Sequence, residues 1–455
     1  MMFRKTLIVA ALAVAFAPAA WSAVSADEAK QLGTTLTAVG AEKAGNKDGT
    51  IPEYTGGLTA PPASFQKGSG IRPDPYATEK PRLVIDSKNA AQYANNLTEG
   101  TKELLKRYPA TMRLDVYPTH RTVVFPKKIT DNTAKNAVAA KSVNGGLGVE
   151  GMLPGVPFPI PKSGYEVMWN HLVRYTGNAN REKYDTWNVD SAGVASLATS
   201  GDLFNEYPLY DPKRLDTVAK ETDIYYRIKL YYTGPARRNG EALMVYDAVN
   251  PLVQGRRGWQ YLPGQRRVRV APDIAYDTPN PGTAGTSVYS DAFVFNGAMD
   301  RFDFKLIGKK EMYVPYNGYK LFYAKPSQTP ATPNHVSPDW TRWELHRVWV
   351  VEATLKPDKR DIYSKRVFYL DEDSWVALAA DQYDAAGKLY RSTVGNMTFS
   401  YDVQAVSIEN YTFYDFVSGT YSLVGGVGGF EGIRYQDPLP DIQWAPETLA
   451  GSGVR

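Results

Sequence analysis

Glu344 and His346 stand two residues apart and so share one side of any strand that contains them, a spacing suited to an ion pair or to two ligands of one metal ion. A third ligand is not evident. The four histidines, His120, His171, His335 and His346, lie far apart, none belongs to HExxH, and the chain has no cysteine. The pair therefore reads as an ion-paired or solvated strand face, and no metal is expected. The GxSxG elbow, the P-loop and GxGxxG are also missing. In the glycine cluster Gly425, Gly426, Gly428 and Gly429, Glu431 stands where a dinucleotide fingerprint needs its last glycine. No cofactor and no enzymatic activity are expected, although a carboxylate pair defined only in space would escape such a search.

A second group is basic. Arg256, Arg257, Arg266, Arg267 and Arg269 surround Trp259, Tyr261 and the turn Pro263-Gly264. Alternation along a strand from Arg266 puts that residue with Val268 and Val270 on the apolar side. A charge there needs a buried carboxylate or a ligand anion, and both readings stay open.

The third group is aromatic. In a strand over Trp343 to Leu355, one side carries Trp343, Leu345, Trp349, Val351 and Leu355, and a neighbouring strand brings Trp375. A helix starting at Ser163 aligns Tyr165, Met168, Trp169 and Leu172, a stripe that packs on a sheet or lines a groove. The glycine- and proline-rich loop between Gly145 and Ser163 holds Phe158 among other apolar residues, so it either tucks into the core or covers a cavity as a lid. Trp169, Trp259, Tyr261, Arg266, Trp343, Trp349, Trp375 and Phe158 are thus the expected ligand-binding residues, and the expected ligand is a hydrophobic or amphiphilic small molecule.

The elements that must position them fall in order along 455 residues. Residues 1–26 read as a signal peptide: Arg4 and Lys5, the apolar run Thr6 to Phe16, and Val24-Ser25-Ala26 before a cut after Ala26. Residues 27–85 form a Gly/Pro-rich arm, and 86–215 a helical and lid segment with helices near Tyr93 to Tyr108, Asp131 to Val143 and from Ser163. Residues 216–455 form an antiparallel sheet, with 27–455 one integrated domain. Strands are expected at Ile224 to Tyr232, Glu241 to Ala248, Gly258 to Tyr261, Arg266 to Val270, Arg301 to Ile307 and Lys320 to Ala324. More follow at Trp343 to Leu355, Ile362 to Leu370, Trp375 to Tyr383, Met397 to Val406 and Tyr411 to Val417.

Composition narrows the partners. The formal charge of +4 falls to +2 without Arg4 and Lys5, which is close to balanced, so nucleic acid is not expected. With no cysteine there is no disulfide and no acylated anchor, and the exported product is expected to be soluble in the periplasm.

The stretches LGTTLTAVGAEKAGNKDGTIPEYTGGLT (Leu32 to Thr59), PFPIPKSGYEVMWNH (Pro157 to His171), GWQYLPGQRRVRVAP (Gly258 to Pro272), DRFDFKLIGKKEMYVPYN (Asp300 to Asn317) and RVFYLDEDSWVALAADQYDAAGKLYR (Arg366 to Arg391) together resemble the proteobacterial domain-of-unknown-function family 1329. The resemblance implies an α+β fold like that of the lipoprotein carriers LolA and LolB: a strongly curved, unclosed antiparallel β-sheet with helices and loops over its concave face. It also implies a neighbourhood with a transporter of the resistance-nodulation-division (RND) type and an outer-membrane partner. The expected function is a periplasmic carrier or transport-accessory protein for a lipid or other hydrophobic amphiphile. The alternatives are a periplasmic hydrolase and a structural assembly partner of an outer-membrane protein.

Overall fold

The computed structural model describes residues 24–451, so most of the expected signal segment lies outside the described residues. Six α-helices occur among these: α1 (Ala26–Ala29), α2 (Glu99–Arg107), α3 (Lys127–Ala139), α4 (Gly164–Leu172), α5 (Tyr319–Phe322) and α6 (Thr448–Gly451). The strands before the long central loop are β1 (Leu83–Ile85), β2 (Leu114–Val116), β3 (Lys141–Val143), β4 (Gly148–Glu150), β5 (Ala179–Val189), β6 (Ala195–Glu206), β7 (Ile224–Gly234), β8 (Ala242–Ala248), β9 (Arg257–Leu262) and β10 (Arg267–Val270). After it come β11 (Phe302–Pro315), β12 (Trp343–Leu355), β13 (Lys365–Asp371), β14 (Ala377–Tyr383), β15 (Leu389–Gly395), β16 (Thr398–Ser400), β17 (Ala405–Ser407), β18 (Tyr411–Asp415), β19 (Thr420–Gly426) and β20 (Ile433–Tyr435). No helix among the described residues is long and apolar enough to cross a membrane.

Sixteen strands form one sheet in the order β1-β2-β12-β13-β14-β15-β18-β19-β5-β6-β7-β8-β9-β10, with β11 added to β12 and β20 to β5. Pairing is antiparallel except where Trp343 of β12 meets Val116 of β2. The end strands β1 and β10 do not pair, so the sheet is unclosed. At the β10 edge the exposed Arg267 and Arg269 discourage edge-to-edge association.

Register defines the inner face. The cross-strand row Val351, Phe368, Ala380, Thr393, Phe413, Ser422, Asn188 runs from β12 to β5. A second row, Glu182, Leu203, Leu230, Leu243, crosses β5 to β8. The β11–β12 end of this face is filled by α4, where Ser163 Oγ accepts the Glu166 N–H to cap the helix, Trp169 is buried, and Tyr165 packs on Phe304. The β5–β8 end is covered by the irregular segment 271–301. That segment is pinned at Asp291, which accepts from the buried Arg366 guanidinium at 2.9 Å and from the Tyr363 hydroxyl at 2.8 Å. Two further bonds hold its middle: Thr286 Oγ1 donates to Ser422 Oγ at 2.7 Å, and Arg391 donates to the Gly285 carbonyl at 3.2 Å.

Several expectations change. The run of long strands begins at Ala179, not near Asp216, and the short strands β1 and β2 join the same sheet earlier still: β5 and β6 lie in the segment read as helical and lid. Lys320–Ala324 is not a strand, because Tyr319–Phe322 forms the short helix α5. Met397 to Val406 is a hairpin of two three-residue strands. The loop holding Phe158 is tucked into the core, with Val149, Met152, Val156 and Phe158 buried in the main apolar cluster, so the cover over the open part of the inner face is 271–301 instead.

Candidate ligand-binding site

The inner face of β5–β8 alternates as a half-buried sheet must. Glu182, Tyr184 and Thr186 of β5 point inward between the outward Arg181 and Lys183, and Leu203, Ile228, Leu230, Leu243 and Val245 continue an apolar floor across β6, β7 and β8. Ile274, Tyr289 and Phe293 of the covering segment form the roof, and Glu409, Tyr411 and Val424 close the side toward β18 and β19. The cavity, open at one side, measures about 130 Å³. Phe293 and Val294 hold left-handed backbone, φ 56° and 71°, a costly conformation for non-glycine residues and above all for a β-branched one. It turns the Phe293 ring to within 5.8 Å of Tyr226 and 5.9 Å of Tyr411, between centroids. His171 secures that bend from below, with Nε2 at 3.1 Å from the Phe293 carbonyl and 3.2 Å from that of Phe295, while Nδ1 accepts from the Ala377 N–H. Burial, then the nearby Arg174, holds His171 well below its ordinary pKa, so it is a neutral donor here.

Two carboxyls break the apolar lining. Glu182 is 3% exposed and its Oε2 has no hydrogen-bond partner, and Glu409 is 5% exposed. Desolvation, then mutual repulsion from Glu409, raises the Glu182 pKa well above the usual carboxylate range. Desolvation also pushes Glu409 up to about 7, against the opposing charge of Arg174. Arg256, the cation in the lining, is held by Asp247 through bonds of 2.8 and 2.6 Å.

The expected Glu344–His346 face lies elsewhere and is buried. Glu344 Oε2 meets His346 Nε2 at 3.1 Å, and Arg342 donates to Glu344 Oε1 at 2.6 Å. Although desolvation works to raise it, the hydrogen bond and charge of His346, followed by Arg342, hold Glu344 below its ordinary value. The third and fourth members, invisible in sequence, are Asp371 and Asp373: ligand atoms of His346, Asp371 and Asp373 lie within 4.8 Å of one another. Both Asp373 oxygens accept from Arg121, at 2.8 and 2.7 Å, and Asp371 Oδ2 accepts from Tyr316 and Ser374. That set of ligand atoms fits a guanidinium and hydroxyls rather than a metal ion, which would have to displace Arg121.

None of the eight sequence-predicted residues lines the cavity. Trp169 and Phe158 are core, the Trp169 Nε1 donating to the Gly146 carbonyl at 2.8 Å. Trp349 and Trp375 do come together, stacked with centroids 6.1 Å apart, but under the N-terminal arm, whose Val39 carbonyl accepts from Trp375 Nε1. Trp343 belongs to a separate cluster with Leu104 and Leu105 of α2. Trp259 and Tyr261 pair with Met244 and Ala242, on the sheet face opposite the cavity. Arg266 falls outside the strand: β10 begins at Arg267 opposite Leu262, leaving Arg266 in the hairpin loop, exposed, with φ 49°. It meets neither a buried carboxylate nor a cavity.

The family model described as "Protein of unknown function (DUF1329)" matches residues 84–449, and the chain belongs to that family. It is 41% identical over 439 residues, 95% of each chain, to the "Uncharacterized protein PA3922" of Pseudomonas aeruginosa. Among solved structures it is similar to a DUF1329 family protein from Desulfovibrio piger, with 15% identity, 60% of this chain and 92% of that one covered, and a TM-score of 0.40. It is also similar to the LolA superfamily protein NE2245 from Nitrosomonas europaea, with 12% identity, the same coverage and a TM-score of 0.34.

Proposed function

We propose that this protein is a soluble periplasmic carrier or transport-accessory protein that shelters a lipid or other hydrophobic amphiphile between the β5–β8 face and the 271–301 segment, by binding rather than bond chemistry. The observation that supports it is unfilled space of about 130 Å³ over an aliphatic floor, in a sheet whose other end is packed solid. On the order of 150 Å³ is enough to hold a benzene ring, so one ring or a short run of methylenes enters and the remainder follows the mouth. Burial drives the association, at ~0.8 kcal/mol per methylene. The periplasmic address rests on the Met1–Ala26 segment, and an RND-type transporter with an outer-membrane protein remains the partnership that the family resemblance implies.

Native mass spectrometry of protein purified from its own host, followed by organic extraction, tests this reading. It should find a bound amphiphile, recovered chemically intact, and Nile red should bind the emptied protein with roughly micromolar affinity, about 8 kcal/mol. Well-folded protein that carries nothing and binds no apolar probe overturns the carrier reading. A ligand recovered as hydrolysed fragments points to the hydrolase instead.

A further inference from the structure

Of the polar groups in the cavity wall, the Glu182 carboxyl has lost water at Oε2 without gaining a partner, and Glu409 is 5% exposed. Glu182 Oε2 is buried and unbonded, and neither Glu182 nor Glu409 forms an ion pair among the described residues. An unpartnered buried acceptor destabilises the fold, typically by as much as a lost hydrogen bond or more, so its retention at a cavity wall suggests that something in the cavity completes it. The aliphatic row Leu203, Leu230, Leu243 starts at Glu182 in direct cross-strand register, so a chain or ring lying on that row ends against this carboxyl.

We propose that Glu182 and Glu409 recognise an uncharged hydroxyl group on the amphiphile, a specificity that rests on the carrier reading above. Three features select this chemistry. An anionic head group meets two carboxyls in the wall, and the lining cation, Arg256, is occupied by Asp247. Behind the wall Arg174 is buried, bonds the His171 carbonyl at 2.7 Å and acts on Glu409 as an opposing charge, so a cationic head group at Glu409 adds a second positive charge there. A hydroxyl both donates and accepts, which matches a carboxyl and carboxylate pair that together offer one proton and several lone pairs. Arg266, for which the sequence left open a buried carboxylate or a ligand anion, plays no part here.

The test is displacement of Nile red from the mature protein by four ligands with the same ten-carbon chain: decanol, decanoate, decylammonium and decane. Decanol should bind at least tenfold more tightly than each of the others. Glu182→Leu should reduce decanol to the level of decane while Nile red affinity holds within twofold, and its melting temperature should rise, because an unsatisfied buried acid has been removed. Glu182→Gln, which keeps a donor and acceptor, should retain part of the preference. Decanoate or decylammonium binding as tightly as decanol overturns the hydroxyl assignment and leaves the carrier reading standing. Nile red failing to bind folded protein overturns the carrier reading itself. The wild-type series decides the matter even where a variant fails to fold.

Discussion

Asp371 and Asp373 are buried among cations, whereas Glu182 and Glu409 are buried among tyrosines. Around the first pair, Arg121 grips Asp373, Lys309 and Arg347 reach Glu372, and Arg342 holds Glu344 beside His346. Around the second stand Tyr184, Tyr226 and Tyr411, with Arg174 too distant for an ion pair. Desolvation raises members of both pairs, Asp371 up to about 6, Glu409 up to about 7, and Glu182 well above the usual carboxylate range. Burial alone therefore does not separate a structural acid from a functional one. What separates them is whether the protein supplies the counter-charge, and only the Glu182 side faces open space.

The largest effect should come from breaking the compensated side. Arg121→Met leaves Asp373 buried without its partner and should cost about 3–5 kcal/mol, read as a lowered urea midpoint at unchanged slope. Nile red affinity of the folded fraction should not change. A loss below ~1 kcal/mol would mean that the network is ornamental and the contrast false.

Filling the open side should do the opposite. Leu230→Trp projects an indole over the floor and should lower Nile red affinity at least tenfold, about 1.4 kcal/mol. Stability should fall by less than the roughly 1–3 kcal/mol that overfilling a closed core costs. Equal loss of stability and binding would show that the cavity is closed core.

The same contrast explains what the sequence concealed. Strand β12 was legible to the residue, Trp343–Leu355, because aromatic and β-branched residues dominate it, and Ser163 announced α4 through its cap. Strands β5 and β6 were not, since the inward side of β5 reads Asn180, Glu182, Tyr184, Thr186 and its outward side Arg181, Lys183, Asp185, with no apolar alternation to detect. The polarity that hid the strand is the polarity of the site. Tryptophans drew attention to positions that pack the core, whereas the cavity is lined by leucine, isoleucine, valine and tyrosine, which any sheet contains. In hindsight a buried-side glutamate in an otherwise regular strand was the usable signal. Arg266 was misplaced because the strand starts one residue later: the faces of Val268 and Val270 are as expected, but Arg266 sits in the left-handed turn before them.

pH offers a gentler probe of the uncompensated pair. Glu409 has a folded-state pKa near 7 against an ordinary value of 4.5, so it binds its proton more tightly when folded. Its contribution to stability is complete below pH 4.5 and is lost as pH rises through about 7. Asp371 and Asp381, both pushed up to about 6 by burial, act in the same direction. A difference experiment isolates Glu409: the melting temperature of Glu409→Gln minus that of wild type should grow as pH rises from 5 to 7.5. A flat difference would mean that Glu409 is solvated and that the two acid pairs are alike.

The smallest expected effect is that of divalent cations, and it bears on the compensated side. His346, Asp371 and Asp373 approach one another closely enough to ligate an ion, and Asp371 Oδ1 has no hydrogen-bond partner. Yet both Asp373 oxygens are committed to Arg121, and a cation entering there would share a buried space with a guanidinium, at a repulsion that its ligand bonds must exceed. Tyr316 also stacks on the His346 ring at 3.7 Å, which fixes its orientation toward Glu344. Strong chelator, or added zinc or manganese, should therefore shift the melting temperature by less than about one degree. A rise of several degrees with manganese would show that a cation displaces Arg121. Arg121→Met would then bind that cation more tightly than wild type, and the network that balances its own charge would become a second ligand site.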